Sequence, residues 1–223
     1  MDLVKSYDFF KPEDCREAIH IIGCGSVGST VAENLARFGV KNMILYDFDE
    51  VESRNIANQM FTNKHIGRPK VEALSEMLLE INPDLEGFLE TEPKGWVGQK
   101  LYGYVFLCVD NIELRRKIAE ENKGNSAIKG MFDFRTSLTD AQHYAADWKK
   151  KDMVQSFLNT MNFSHEEAKA EAPVSACNIE LSVCPTIRVI VGLGVSNFIN
   201  FVKGNPLKKM IIADAFEHQT TAF

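Results

Sequence analysis

The stretch Ile19-His20-Ile21-Ile22-Gly23-Cys24-Gly25-Ser26-Val27-Gly28 decides the fold of this chain. A short β-branched run leads directly into a Gly-x-Gly-x-x-Gly motif, after which apolar residues recur at helical spacing as far as Gly39, a predicted C-cap. The next apolar run, Met43-Ile44-Leu45-Tyr46, ends at Asp47. This order of strand, turn, helix and second strand gives the glycine motif its structural context.

The glycine turn predicts a nucleotide site. Gly23, Gly25 and Gly28 allow a tight turn and a close approach of the backbone, and the start of the helix presents free N–H groups to a phosphate. Asp47, at the end of the second strand, is placed to accept hydrogen bonds from ribose hydroxyls. The alternative is a turn with incidental glycines, but strand, helix and acid occur here together.

The length of 223 residues fits one domain, residues 1–223. Strand-like and helical segments alternate, so we expect an α/β fold: a Rossmann-like, mostly parallel twisted sheet with flanking helices. We predict a nucleotide-binding core at 1–145, a polar helical crossover or lid at 146–184, and a helix and final strand that return to the core at 185–223.

Composition and charge argue against several classes of protein. The formal charge is −6, with no dense basic face, so a nucleic-acid partner is not expected. The N-terminus has no apolar signal region, and no apolar run approaches the roughly 18 residues of a membrane span, so no membrane partner is expected either. The five cysteines, an odd number without a Cys-x-x-Cys pair, indicate reduced thiols in the cytoplasm and no zinc site.

An ordinary NAD-binding protein has no reason to carry the segment Asp47-Phe48-Asp49-Glu50-Val51-Glu52-Ser53-Arg54-Asn55-Ile56-Ala57-Asn58-Gln59, followed by Gly67-Arg68-Pro69-Lys70. A later strand-like run ends in Val109-Asp110-Asn111-Ile112-Glu113-Leu114-Arg115. Together these segments resemble the ThiF/MoeB/HesA family, the bacterial relatives of ubiquitin-activating enzymes. That family has Asp-x-Asp-x-Val-x-x-Ser-Asn-Leu-x-Arg-Gln, then Gly-x-x-Lys, then Thr-Asp-Asn-x-x-x-Arg. The resemblance covers residues 19–115 and resumes over 177–204.

The resemblance implies an ATP-dependent adenylyltransferase. Such enzymes use Mg-ATP to adenylate the C-terminal glycine carboxylate of a small ubiquitin-fold or sulfur-carrier protein that ends in Gly-Gly. The family leads us to expect a homodimer. ATP and Mg²⁺ are the expected cofactors.

The resemblance also assigns site residues. Asp47 corresponds to the ribose ligand and Lys70 to the lysine that contacts phosphate. Asp110 corresponds to the aspartate that holds magnesium, and Asp49 is close enough in sequence to assist. Asn55 can hydrogen-bond phosphate oxygens without adding charge, and Gln59 belongs to the same pattern of nucleotide-binding residues. The alternatives are that Asp110 only caps its helix, that Lys70 is a surface lysine and that Asn55 only stabilises a turn.

Two departures from the family pattern matter for the site. Asn58 stands where the family has its arginine, and Arg54 stands where it has serine. If the loop makes a helical turn, positions 54 and 58 share one face, so we hypothesise that Arg54 supplies the missing guanidinium. The alternative is a weakened site that binds nucleotide without fast chemistry. For an arginine lent across a dimer, Arg16 is a candidate by position only.

Two cysteines are candidates for a covalent step. Some relatives attack the acyl-adenylate with a thiol before the last long helix, and the family position falls at Cys177, eight residues before Pro185. Cys184 has a competing argument, because a thiolate is favoured at a helix N-terminus. Several members need no cysteine. Cys24 and Cys108 are predicted to be inert packing residues.

Three further functions stay open. One is adenylation of a non-protein carboxylate or a tRNA substrate, and another is a nucleotide-binding subunit that depends on an active partner. The third, a plain NAD-dependent oxidoreductase, leaves Asn55, Lys70 and Asp110 unexplained.

Overall fold

One eight-stranded sheet organises the chain in this computed structural model, which describes residues 1–167, 174 and 181–223. The strand order is β3-β2-β1-β4-β5-β6-β7-β8. Pairing is parallel from β3 to β5 and antiparallel from β5 to β8. The strands are β1 Ile19–Ile22, β2 Met43–Tyr46, β3 Leu89–Glu92, β4 Gly103–Leu107, β5 Ile128–Thr136, β6 Asp140–Asp147, β7 Met210–Asp214 and β8 Gln219–Ala222.

Helices cover both faces of the sheet. The described helices of nine or more residues are α1 Ser26–Arg37, α2 Lys70–Ile81, α3 Ile112–Glu121, α4 Lys151–Asn159 and α5 Cys184–Val202. On one face α1, α2 and α5 enclose a core with residues such as Leu35, Leu74 and Phe198. On the other face α3 and α4 enclose a second core with Ile118 and Phe157. The predicted Rossmann-like sheet with flanking helices is confirmed.

The order of the strands places the site. The chain passes from β1 to β2 and β3 on one side, then returns past β1 to begin β4 on the other. The carboxyl ends of β1 and β4 are therefore neighbours whose connections leave in opposite directions, and open α/β sheets bind ligands in the crevice at such a point. The glycine turn follows β1, and Cys108–Asp110 follows β4.

Several boundaries differ from the sequence expectation. The apolar character of Leu85 favours a strand that starts there, but β3 begins only at Leu89, because Pro83–Leu85 forms a 3-10 helix behind the Asn82 cap. The edge strand β8, Gln219–Ala222, was not predicted, since its exposed polar residues carry no apolar signal. The role of 146–184 as a lid stays a prediction. Its first part is not polar surface, because Trp148 and the apolar face of α4 are buried in the second core.

Helix α5 corrects the expectation about apolar runs. Of the helices that the structure describes, Cys184–Val202 is long and apolar enough to cross a membrane by length and composition, contrary to that expectation. Ile187, Ile190 and Val191 of this helix are buried in the first core. The apolar character of α5 is thus explained by its packing between α1 and the sheet.

Candidate nucleotide-binding site

A cavity of about 230 Å³ lies at the carboxyl ends of β1, β2 and β4. Its lining combines a glycine turn, three carboxylates, one lysine and several apolar side chains. The lining residues are Ile22, Gly23, Gly25, Ser26, Tyr46, Asp47, Phe48, Asp49, Gln59, Lys70, Gly95, Trp96, Cys108, Val109, Asp110 and Leu114. The predicted site residues Gly23, Gly25, Asp47, Asp49, Gln59, Lys70 and Asp110 therefore meet at one place.

The three glycines have different structural roles. Gly23 has φ +97°, and an added Cβ would lie 2.7 Å from the carbonyl carbon and oxygen of Cys108. A Cβ at Gly28 would lie 1.8 Å from the Gly23 carbonyl oxygen, so both glycines allow the turn to pack closely. Gly25 faces the cavity instead, and it is the N-cap of α1 without a side-chain acceptor. The first N–H groups of α1 are thus presented towards the cavity.

Asp47 is fixed by backbone donors. One carboxylate oxygen accepts from Cys24 N at 2.6 Å and the other from Asp49 N at 2.9 Å. Burial raises the pKa of Asp47, while nearby Lys70 acts to lower it. Two backbone bonds leave further acceptor positions on the carboxylate, which suits the predicted role towards ribose hydroxyls.

Lys70 is the first residue of α2, and its side chain is 8% exposed. Its ammonium donates to an oxygen of Asp49 at 2.7 Å, so Asp49, predicted to assist a metal, is engaged with the lysine. A short antiparallel pairing closes the long excursion between β2 and α2, with Val51 N bonded to Arg68 O and Gly67 N to Val51 O. The lysine thereby reaches the cavity, and it is not a surface lysine.

Asp110 lies just beyond β4 and is exposed at the cavity wall. The alternative that it caps the next helix is wrong. The cap of α3 is Asn111, whose side-chain oxygen accepts from Leu114 N at 3.0 Å. Within the part of the chain that the structure describes, the Asp110 carboxylate takes part in no ion pair or hydrogen bond.

Two aromatic residues of the site were missed by sequence reasoning. Phe48 is 74% exposed at the cavity, although large apolar side chains are usually buried. A Cβ on Gly95 would lie 3.2 Å from the ring of Phe48. The lack of a side chain at Gly95 therefore lets the Phe48 ring lie close to the backbone there. Trp96 lies on the same wall. The signal available in the sequence was the position of Phe48 between two aspartates.

Arg54 and Asn55 are not among the residues that line the cavity. Arg54 is 63% exposed and pairs with Glu52 at 2.6 Å, and the Asn55 side chain accepts from Glu52 N at 2.8 Å. The predicted helical turn is present, but Ser53–Ala57 is a 3-10 helix. With three residues per turn, Arg54 aligns with Ala57 and not with Asn58, so the assumed common face of 54 and 58 is wrong.

The cysteines that the structure describes lie either at the carboxyl edge of the sheet or in its core. Cys177 lies outside the described residues. Cys184 begins α5, close to the turn that follows β5, since Thr186 Oγ1 donates to Leu138 O at 2.7 Å. Cys24 and Cys108 are buried, and burial raises the pKa of both thiols, as expected for packing residues.

Arg16 lies before the amino end of β1, whereas the site lies at the carboxyl end of that strand. The Arg16 carbonyl accepts a hydrogen bond from the side chain of Asn42, the residue just before β2. Its own guanidinium donates to Glu13 O at 2.8 Å. Arg16 is therefore at the opposite edge of the sheet from the cavity of its own chain. A loan of this arginine across a dimer stays a prediction.

A magnesium–triphosphate complex fits the donors at this cavity. Helix N–H groups and the Lys70 ammonium suit phosphate oxygens. The buried Oε1 atom of Gln59, which has no hydrogen-bond partner among the described residues, is an acceptor and suits a hydroxyl group instead. The cavity is lined by three carboxylates and one ammonium group, so its net charge is negative. A triphosphate, which is itself negatively charged, therefore binds there only together with a cation. Within the described residues no group of three His, Cys, Asp or Glu side chains could hold a metal by itself. Mg²⁺ commonly binds one or two carboxylates together with substrate phosphates, which is the arrangement Asp110 offers.

Comparison with known proteins places the chain in a family. The model of the ThiF family matches residues 15–223. The ubiquitin-like modifier-activating enzyme 5 of Drosophila persimilis is 34% identical over 134 residues, covering 53% of this chain and 34% of the relative. That of Drosophila melanogaster is 36% identical over 135 residues, covering 53% and 32%. The chain thus spans about a third of the length of the curated relatives it matches.

Solved structures agree on the fold. Escherichia coli MccB superimposes with a TM-score of 0.70 at 17% identity, covering 95% of this chain and 63% of that one. PaaA gives a TM-score of 0.69 at 16% identity, covering 100% and 68%. MccB with ATP gives 0.68 at 18% identity, covering 95% and 64%. With the family model spanning almost the whole sequence, the chain belongs to the ThiF family.

Proposed function

We propose that this protein is an ATP-dependent adenylyltransferase that activates the C-terminal carboxylate of a small ubiquitin-like or sulfur-carrier protein. The observation that carries the proposal is the meeting of the helix N–H groups of α1, the Lys70 ammonium and the Asp110 carboxylate around one cavity. Family membership supports the reaction class, and the similar curated relatives are named as enzymes that activate a ubiquitin-like modifier. A solved neighbour of the same fold was crystallised with ATP.

The cavity lining would fix the orientation of the nucleotide, because different residues complement its base, its ribose and its phosphates. Asp47 accepts from the ribose hydroxyls, while Phe48, Trp96 and Leu114 provide apolar surface for the base. The phosphates then face the first turn of α1 and Lys70. This assignment uses each chemical part of the lining for the part of ATP that it complements.

Transfer of the adenylyl group requires two anions to meet. An oxygen of the carrier carboxylate attacks the α-phosphorus, the bond from that phosphorus to the bridging oxygen breaks, and pyrophosphate leaves. Lys70 and the N–H groups of α1 stabilise charge that grows on the phosphate oxygens in the transition state. Asp110 would hold Mg²⁺, which supplies further neutralisation of the phosphates when bound.

The path of the chain supports the crossover role of the segment 146–184. Helix α4, before this crossover, lies on one face of the sheet, and α5, after it, lies on the other. Thr160 contacts the end of β5, and Thr186 contacts the turn after it. The described residues Thr160 and Thr186, on either side of the crossover, thus both lie at the carboxyl edge, where the cavity lies. We propose that the carrier's C-terminal tail enters beneath the crossover.

The proposal includes a covalent step through Cys177, which can be tested separately from the adenylation step. The thiolate would attack the carbonyl carbon of the acyl-adenylate, forming a thioester and releasing AMP. Cys184, at the start of α5, is the second candidate. With ATP and a carrier, Cys177→Ala should abolish an adduct that thiol reductants cleave, while pyrophosphate exchange continues. Persistence of the adduct would assign the step to Cys184 or another nucleophile.

The test of the reaction class is ATP–pyrophosphate exchange with a panel of ubiquitin-fold proteins that end in Gly-Gly. We expect exchange only when such a carrier is present, and none when the same carrier lacks its last glycine. The matched enzyme control is Lys70→Met, which should remove exchange without unfolding the protein. Exchange that is equal with and without a C-terminal Gly-Gly would contradict the proposal.

A second function is favoured by the position of Arg54. With Asn58 in place of the family arginine and Arg54 paired with Glu52, this chain could bind nucleotide yet need a partner subunit for fast chemistry. Homodimerisation and a cytoplasmic location remain proposals. Sedimentation of the full chain, alone and with MgATP, tests the first, and fractionation of the source cells tests the second.

A further inference from the structure

Asp133 is a buried carboxylate that no step proposed above uses. It lies in the middle of β5 with no exposed surface, and two guanidinium groups share it. Arg115 from α3 binds one of its oxygens, and Arg135 from β5 binds the other at 2.7 Å. A buried charge is costly unless it is paired, so this position is fixed by both arginines at once.

The first arginine connects Asp133 to the nucleotide cavity. Besides the carboxylate, the Arg115 guanidinium donates to the carbonyl oxygens of Val109 and Phe134. Val109 lines the cavity and is the residue before Asp110. Arg115 therefore fixes the direction in which the chain leaves β4. It thereby also fixes the position of the Asp110 carboxylate.

The second arginine connects Asp133 to the start of the crossing segment. Arg135 donates to Thr160 O at 2.6 Å and to Thr160 Oγ1 at 2.8 Å. Arg116 of α3 completes this hold by donating to Met161 O at 2.9 Å and also to Phe163 O. Three carbonyl groups within 160–163 thus accept from two guanidiniums anchored in different elements.

We infer that Arg115, Asp133 and Arg135 form a positioning relay between the Asp110 carboxylate and segment 160–163, from which the crossing begins. This inference rests on the proposed function for its purpose, since the relay would align the carboxylate that holds Mg²⁺ with residues 160–163 at the carboxyl edge of the sheet. None of the three touches the nucleotide cavity, so they are positioning residues. Loss of one end of the relay should loosen the other end, because Asp133 is common to both.

The experiment measures both ends in the full chain. Arg135→Lys keeps the charge beside Asp133 but loses the forked contact with Thr160. Hydrogen exchange followed by mass spectrometry would report peptides that cover 108–115 and 159–164. We expect exchange about fivefold faster in both, although among the described residues the Arg135 side chain has no hydrogen bond or ion pair to 108–115. Calorimetry should show a MgATP Kd raised about fivefold.

Phe157→Leu is the matched control. It weakens the same core beneath α4 while Arg115, Asp133 and Arg135 keep their side-chain contacts, and the Phe157 carbonyl that accepts from Thr160 N and Oγ1 is unchanged by the substitution. This variant should lower Tm while leaving exchange at 108–115 and the MgATP Kd as in the wild type. Asp133→Asn should loosen both ends more strongly than Arg135→Lys. If Arg135→Lys loosens only 159–164, or matches Phe157→Leu at 108–115, the relay is overturned. If the wild type binds no MgATP, the proposed function fails, while the exchange comparison still decides the relay.

Discussion

Single residues of the site show which sequence signals are reliable. Asp47, Lys70 and Asp110 could be placed because each follows a strand or starts a helix, and those elements fix where the side chain goes. Arg54 could not, because its neighbour Glu52 offers an ion pair at 2.6 Å that no motif contains. Phe48 was missed since an apolar residue beside β2 reads as core, whereas it is exposed at the cavity.

At Asp110 we predict loss of activity without loss of fold. Asp110→Asn should reduce carrier-dependent pyrophosphate exchange about 100-fold, because the amide cannot hold Mg²⁺ as the carboxylate does. The Asn111→Ala control removes the cap of α3 and should cost about 1 kcal/mol of unfolding free energy while exchange continues. Equal loss of exchange in both variants would mean that Asp110 acts only through the helix.

Lys70 and Arg54 are predicted to differ. Lys70→Met should raise the MgATP Kd about tenfold or more, since a cation that contacts phosphate is lost. Arg54→Ala should leave it within about twofold, because an exposed ion pair outside the cavity contributes little. Calorimetry on both variants decides, and a large effect of Arg54→Ala would revive its role as the substitute guanidinium.

Among the elements, α5 shows how packing overrides a local pattern. Its apolar composition satisfies the length of a membrane span, yet it packs beside α1 and across β5, β6 and β7. The packing is close enough to need a glycine. A Cβ at Gly194 would lie 2.2 Å from the Phe134 ring and 3.0 Å from His143 Nδ1.

Alanine substitutions at two glycines of α5 should change the free energy of unfolding in opposite directions. Gly194→Ala should lower the unfolding free energy by about 1–3 kcal/mol, because the methyl group collides with Phe134 in a filled core. Gly192→Ala meets no atom within 4 Å and should raise it by about 0.5–1 kcal/mol through helix propensity. Urea unfolding measures both, and equal changes would contradict the packing of α5.

Strand β6 carries a histidine that makes stability depend on pH. Burial lowers the pKa of His143 to about 4, although the nearby Asp133 acts to raise it. Between that value and the unfolded pKa of about 6.5, the unfolded chain binds a proton that the native state does not. Stability from this group is complete above about pH 6.5 and falls as the pH drops towards 4, by roughly 1–2 kcal/mol at pH 5.

His143→Gln isolates that contribution. Comparison of urea midpoints at pH 7 and pH 5 should show a smaller loss in the variant than in the wild type, since glutamine binds no proton. His20, whose pKa burial also lowers to about 4, keeps part of the dependence in both proteins. An identical loss in the two proteins would show that His143 does not titrate as its burial implies.

For the whole molecule, the sequence was enough to predict the sheet and the edge that carries the site. The parallel strand β4 reads as a continuous apolar run because both of its faces are covered. Strand β8 and the buried role of α4 could not be read, since they depend on contacts with β7 and the second core that no local pattern reports. The Arg115–Asp133–Arg135 cluster likewise joins α3 to β5 through side-chain contacts that no local pattern reports.

The central claim is that the cavity at the carboxyl ends of β1, β2 and β4 binds a nucleoside triphosphate with its magnesium. Isothermal titration of the full chain with MgATP, and separately with NAD⁺, tests it most directly. We predict one saturable site for MgATP that weakens in Lys70→Met, and no comparable heat with NAD⁺. Tight uptake of NAD⁺ with no affinity for MgATP would contradict the account.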